Sequence, residues 1–305
     1  VAINFIPHDT KIDFMSKRYW AYGITAFMII ASIIAFLVKG LNYGIDFKGG
    51  LVMEVRSTSA PFDLAQLRSD LSGLVHGEVA LQEFGSASDI LIRIERQPGG
   101  DEAQIQALDK VKAFLGTNVE YRKVETVGPK VSQDLLNNGL HAIFWSLLAI
   151  MVYIWFRFEW QYGVCGVISL LHDCFSILGF YAVFSYEFNE TAIIAILTTA
   201  TYSINDTVVV YDRIRENLRK FKKMEFRDII NLSLNDTLSR TILTSSTVLM
   251  SLLALYFFGG PVIASFSLPI FIGITVGTFS SIFVSAPLLL HFNVRRGQVE
   301  EIEKK

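Results

Sequence analysis

An aspartate stands inside an apolar segment that should be a helix in lipid or in a packed bundle. The stretch TYSINDTVVVYDRIRENLRK, residues 201–220, begins in apolar sequence and ends in cations, and its sixth residue is Asp206. Asp206 precedes Asp212, the expected end of the span, by six residues. At the rise of a helix that places it ~9 Å inward. A carboxylate at depth costs about 2.5–3.5 kcal/mol even on the most lenient insertion scale, and such groups mark ion pathways by default. An Asp side chain is too short to reach the interface. Helical spacing gives Asp206 a polar stripe of Thr199, Tyr202, Ser203 and Arg213, with Asn205 beside it.

A second stripe follows. Thr237, Arg240, Thr244, Thr247 and Ser251 recur at steps of three and four along one side of a helix. Arg240 is expected at the mouth of that helix, with a side chain long enough to extend toward Asp206. Two facing stripes, one acidic and one basic, would make a wet seam able to hold and release a proton. The structural alternative is a fixed ion pair that specifies helix pairing, with hydroxyls bonded to their own backbone four residues back. His172 and Asp173, in SLLHDCFS, form a further polar pair mid-span between Ser169 and Ser176. A relay through the imidazole and a satisfied inter-helix hydrogen bond are both open readings. Gly273, Gly277, Ser281 and Ser285, at four-residue steps, read as a small-residue face for close helix packing.

The elements that must hold these groups are transmembrane helices. Of the 305 residues 51% are hydrophobic, and the net charge is −2, so bulk attraction to nucleic acid is not implied. Apolar spans of bilayer length are expected at Tyr19–Val38, Gly139–Phe156, Gly163–Tyr186, Ala192–Tyr211 and Thr241–Phe258. A last stretch, Val262–Phe292, holds Pro269 and Pro287 and reads as a short re-entrant or interfacial piece leading into a sixth span from about Pro269. The first span is long for a signal sequence and lacks a cleavage site, so it is expected to be retained. Lys11, Lys17 and Arg18, the cluster from Arg213 to Arg227, and Arg295, Arg296, Lys304 and Lys305 all fall on one side. The opposite short loops, SYEFNE and GGPV, have no Lys or Arg, so both termini are expected in the cytoplasm. This gives a cytoplasmic segment 1–18, a first span 19–38, an outer region 39–138, five spans over 139–292 with a basic cytoplasmic loop near 212–240, and a tail 293–305.

Within 39–138 the pattern becomes that of a soluble α+β domain. LVMEVRS, EVALQEF, DILIRIER and VEYRKVETV read as strands, with a turn at GSASD. Residues 62–75 and 101–115 carry helical spacing. The order βαββαβ suggests a ferredoxin-like sandwich. It offers no catalytic constellation, and PGGD is a turn into a helix. Cys165 and Cys174, nine residues apart on one helix, are expected to pack and not to pair. No metal-ligand spacing occurs.

Several strings resemble the SecD/SecF family of bacterial export membrane proteins. GIDFKGG, residues 44–50, is similar to the motif that opens the family's exported domain, on Gly44, Asp46, Phe47, Gly49 and Gly50. VGPKVS resembles its re-entry segment, and LLHD and YSINDTVVVYDRIRENLRK are similar to the SecF-type branch. The resemblance covers nearly the whole chain. It implies six helices forming half of a bundle similar to the RND transporters, one periplasmic domain, and residence in the inner membrane. It further implies a SecD partner, the SecYEG channel and the motor SecA, with YajC and YidC as further candidates and unfolded preproteins as cargo. The ion-motive force would drive their export, carried by H⁺ or Na⁺, with no bound cofactor and no enzymatic reaction. In that family the acid of SINDT and the arginine opening the next span belong to the ion pathway, which falls on Asp206 and Arg240. Thr201 stands where the family commonly has Gly, which puts local helix packing in question.

Three rivals can be weighed. A small-solute efflux subunit would need a drug-sized apolar pocket in the outer domain. An intramembrane aspartyl protease, prompted by Asp212, would need a second facing acid in a Gly-x-Gly-Asp string, which is absent. A passive translocon scaffold differs only in giving Asp206 no energetic role.

Overall fold

A computed structural model describes residues 10–58, 61–84, 86–292 and 294. The basic tail residues Arg295, Arg296, Lys304 and Lys305, and the first nine residues, lie outside these. Among the described residues, six helices are long and apolar enough to cross a membrane.

The first is α1 (Arg18–Lys39), uncharged between its ends and stopped by Gly40 at φ 69°. Just ahead of it the chain is tied down: Ile12 and Phe14 donate their N–H groups to Asn235 Oδ1 and Asn231 Oδ1 at 2.9 and 2.8 Å. Next come a two-residue strand β1 (Asn42–Tyr43) and a single helical turn α2 (Ile45–Lys48). The α/β domain then runs β2 (Gly50–Ser57), α3 (Leu64–Leu74), β3 (Val79–Phe84), β4 (Ser86–Glu95), α4 (Gly100–Leu115) and β5 (Val119–Val127). Asp63 caps α3 by accepting from the Ala65 and Gln66 N–H groups. The sheet is antiparallel in the order β3-β4-β2-β5, so each helix joins two strands separated by a third. Leu51, Met53, Val55, Ile90, Ile92 and Ile94, alternate residues of β2 and β4, are fully buried against Leu71 and Val111. The turn expected at residues 85–89 is tighter than the composition indicated, since Ser86–Ser88 already belong to β4.

The chain returns through α5 (Pro129–Arg157), whose proline occupies the first turn, where no N–H partner is needed. It continues as α6 (Trp160–Val183), a two-residue strand β6 (Glu187–Phe188), α7 (Glu190–Lys220), α8 (Phe226–Phe258) and α9 (Gly260–Ser280). β6 pairs in parallel with β1, and Arg93 of β4 grips both carboxylate oxygens of Glu187 at 2.7 and 2.9 Å, so the domain is latched to the bundle.

Two expectations are corrected. The basic stretch 212–240 is not a loop: α7 and α8 run through it and leave only residues 221–225 between them. Ion pairs and amide contacts hold that hairpin, Arg213 to Asp236 at 2.9 Å and Asn217 to Ser233 at 3.0 Å, so the helices continue past their apolar parts. The last stretch has no separate re-entrant or interfacial piece before Pro269, since one helix runs through it. α9 carries Pro269 in its interior and then loosens into a π-type turn, Ser281–Ser285, and a short 3₁₀ end, Leu289–Phe292.

Packing places two apolar clusters at the ends of the bundle and a polar layer between them. Phe47, Phe180, Tyr181 and Phe188 fill the domain side. Tyr162, Tyr211, Ile214 and Ile229 fill the basic side. Small residues allow the close approach: a Cβ on Gly179 would strike Ser32 of α1, and one on Gly273 would strike Thr199 of α7. Both cysteines are buried and free.

Candidate functional site

The polar layer holds two carboxylates on neighbouring helices. Asp206 of α7 is 8% exposed and lines a cleft of about 350 Å³ together with Tyr202, Ser203, Asn205, Thr244, Ser245 and Thr278. Its Oδ2 accepts from Ser245 Oγ at 3.4 Å, and Ser245 in turn meets Thr278 Oγ1 of α9 at 2.8 Å. A hydroxyl has one proton to give. If Ser245 gives its proton to Asp206, Thr278 must donate to Ser245, and its contact with the Ile274 carbonyl at 2.9 Å lapses. The acid is therefore held by one long hydrogen bond from a hydroxyl that is itself shared, which leaves it free to change partners.

Arg240 acts on Asp206 in this arrangement only through space, as a nearby charge and not as a direct partner. It lies five residues before Ser245 on α8, exposed, and makes no ion pair with Asp206. Its carbonyl accepts from Thr244 Oγ1 at 2.9 Å. The other members of the α8 stripe also turn inward on their own helix: Thr237 bonds the Ser233 carbonyl, Thr247 that of Leu243, and Ser251 that of Thr247. Arg213, expected on the acidic stripe, pairs instead with Asp236 and Glu216. Asp212 pairs with Arg157 at 2.8 Å and not with its sequence neighbour. Tyr202, Asn205, Arg240, Thr244 and Thr247 thus stand along an open polar face next to one buried acid.

The second carboxylate, Asp173 of α6, is fully buried. His172 Nδ1 lies 2.9 Å from its Oδ1, and its Oδ2 accepts from the Ser203 hydroxyl and from Ser280 Oγ, the latter at 2.8 Å. α9 and α7 approach closely enough for this because Gly277 faces Ser203; a Cβ there would sit 3.0 Å from the Ser203 Cβ. Ser203 thereby belongs to both places, bonded to one acid and sharing the cleft with the other. Ser245, Thr278 and Ser280 were not marked by the sequence pattern. Ser245 falls between the members of the α8 stripe, and Ser280 stands one residue from the small-residue face that includes Ser281.

The motif at residues 44–50 is far from the cleft and shapes the domain junction. Gly44 starts α2 against Glu187, Asp46 Oδ2 accepts from the Glu190 N–H at 3.4 Å, and Phe47 packs on Phe188. Gly49 and Gly50 have φ of 79° and 150°, and a Cβ on Gly50 would collide with the Ile94 carbonyl. Thr201 is exposed and bonds the Leu197 carbonyl at 2.9 Å, so it crowds no helix within this chain.

Residues 107–295 match the family model described as protein export membrane protein SecD/SecF, C-terminal, and residues 34–61 match that of the SecD/SecF GG motif. The chain is 47% identical over 309 residues to the protein translocase subunit SecF of Rickettsia conorii, covering 99% of this chain and 98% of that one. It is 47% identical over 298 residues to that of Rickettsia prowazekii, covering 96% and 95%. Among solved structures, SecDF of Thermus thermophilus, a translocon-associated membrane protein, superposes with a TM-score of 0.78 at 34% identity over 95% of this chain. A super-membrane-facing form of SecDF superposes with a TM-score of 0.71 at 33% identity over 97% of this chain. The chain spans 40% of the length of each of those two SecDF chains.

Proposed function

Since the chain belongs to the SecD/SecF family of protein export membrane proteins, we propose that it is the half of an export complex that couples an ion gradient to the outward movement of unfolded preproteins. The observation that carries this reading is Asp206, a buried acid on the wall of an open cleft, held by a single shared hydroxyl. A charge so placed costs energy continuously unless its protonation or its partners change during a working cycle. One elementary charge crossing 100 mV releases about 2.3 kcal/mol, enough to bias two packings of the bundle.

The exposed polar face around the cleft is the seat for a second bundle of SecD type, since Tyr202, Asn205 and Arg240 would be costly against lipid. When that bundle moves, Arg240 swings toward or away from Asp206 as the acid loses or gains its ion. The outer domain, latched through Arg93 and Glu187, transmits the change to preprotein on the periplasmic side. Both termini then face the cytoplasm, next to SecYEG and SecA, in the inner membrane. H⁺ fits the hydroxyl-lined site directly; Na⁺ would use the same oxygens.

The efflux alternative requires a large apolar cavity in the outer domain, where β2 and β4 instead bury their inward residues fully. The test is made in cells lacking this chain. Stalled secretion of preproteins without sensitisation to toxic solutes supports the export reading, and solute sensitivity with normal secretion contradicts it.

A further inference from the structure

We propose that His172 and Asp173 form a second proton-holding site inside the bundle, connected to Asp206 through the hydroxyl of Ser203. The proposal rests on the reading of Asp206 as an ion carrier and extends it inward by one station.

A fully buried carboxylate needs a compensating positive charge or a proton. Among the described residues, no Lys or Arg reaches Asp173. α9 brings it hydroxyls and no titratable residue. α7 brings Tyr202 next to Ser203, Asp206 one turn on, and Tyr211 further toward the basic side. α1 carries only Tyr19 and Tyr22 between Arg18 and Lys39, and α5 carries Asp134, His141 and Tyr153 before Arg157 at its end. α6 itself adds Tyr162, Cys165, Cys174 and Tyr181, and the 3₁₀ end adds His291. The group in contact is His172, whose Nδ1 faces Asp173 Oδ1 at 2.9 Å while its Nε2 is buried with no partner among the described residues. Two further hydroxyls nearby on the same helices, Ser169 and Thr199, are buried and equally unpartnered. A finished structural knot would use these groups. What is left is a pair that shares one proton and has unused donors and acceptors around it.

Ser203 supplies the connection. Its hydroxyl donates to Asp173, and its backbone position puts it on the same face of α7 as Asp206, three residues on, with both lining the cleft. When Asp206 has taken a proton from the cleft, Ser203 passes its own hydroxyl proton to Asp173 Oδ2 in the same movement in which its oxygen takes up the Asp206 proton, directly or through a cleft water, so that no alkoxide forms. Asp206 returns to carboxylate, Asp173 becomes the neutral acid, and Ser203 ends as it began. His172 holds the imidazole on the far side of Asp173 and shares the proton through Nδ1.

The experiment is infrared difference spectroscopy of the protonated-carboxyl band, recorded on the complex with its SecD-type partner between acidic and alkaline buffer. Subtraction between variants cancels carboxyls elsewhere. The expected result is that Asp206→Asn removes one titrating signal and leaves another, and that adding Asp173→Asn removes the second. Ser203→Ala should keep both signals but slow hydrogen–deuterium exchange of the Asp173 band by roughly a hundredfold, the scale of a positioned proton-transfer group. The proposal is overturned if Asp206→Asn leaves no titrating signal that depends on Asp173, or if Ser203→Ala leaves the exchange rate unchanged. Should the Asp173 variant fail to assemble, His172→Gln in the Asp206→Asn background must shift the remaining band, and an unmoved band overturns the proposal. Failure of the Asp206 reading shows separately, as an Asp206→Asn complex that loses no signal.

Discussion

The carboxylate of Asp206 meets the hydroxyl of Ser245 at 3.4 Å, while Arg240 acts on the acid through space without pairing with it. The two residues come from adjacent antiparallel helices, α7 and α8, and the contact is long for a hydrogen bond to a charged acceptor. A weak, shared hydroxyl is what a site needs if its acid is to alternate between two partners.

Ser245→Ala should therefore slow export without abolishing it. Removing one long hydrogen bond to a carboxylate is expected to lower the rate by roughly threefold to tenfold, less than the loss of the carboxylate itself. Pulse-labelled preprotein processing in complemented cells measures this. A rate equal to wild type would mean that Ser245 does not tune the acid.

Arg240→Ala should separate stability from function. The side chain is exposed and unpaired with Asp206, so the melting temperature of the purified chain is expected to stay within the effect of a surface substitution, about 0.5 kcal/mol. Export should nevertheless fall strongly, because the arginine is needed in the other packing of the bundle. A large drop in melting temperature would instead indicate a structural pair.

Much of this site was legible in the sequence, and the reasons are specific. Asp206 announced itself because an acid in an apolar helix has no cheap explanation. The pair His172–Asp173 stood out likewise, although nothing in the sequence showed that Ser203 and Ser280 would converge on it. Helical spacing places residues on a face but does not say which face meets which helix. The α8 stripe was real as a pattern, yet its hydroxyls bond their own backbone and Ser245, off the stripe, makes the contact. Charge was misleading at residues 212–240: a run of cations and acids reads as a loop, but its i to i+3 pair and its cross-helix pairs extend two helices. In the α/β domain, period-two alternation placed the strands well because one face is fully buried.

Gly50→Ala should unfold the junction between α2 and β2. The backbone at φ 150° and the collision of a Cβ with the Ile94 carbonyl together are expected to cost about 3 kcal/mol or more. Protease digestion of the membrane-embedded chain should then cut within the α/β domain, while the helical bundle stays protected. Wild-type resistance would contradict the geometry.

The α/β domain should also lose stability at low pH through one group. The Arg56 guanidinium, donating at 2.6 and 2.7 Å, together with the Ser86 hydroxyl, holds the Asp89 carboxyl at about 2, below its ordinary 3.8. A lowered carboxyl contributes stability that is fully present above the ordinary value and disappears as the pH falls through the lowered one. Hydrogen exchange of β2 and β4 peptides in the full chain, corrected for intrinsic rates, should rise across that interval. Asp89→Asn should start less stable and show a flat response; an unchanged slope would exclude Asp89 as the source.

The most direct test of the central claim is preprotein export in cells lacking the chain, complemented by wild type or by Asp206→Asn at matched membrane levels and with matched assembly. Asn keeps the shape of the side chain and cannot carry an ion by titration. The account predicts that the Asn variant assembles with its SecD-type partner and leaves export as defective as the deletion. Full restoration of export by Asp206→Asn would contradict it and leave the chain a passive scaffold.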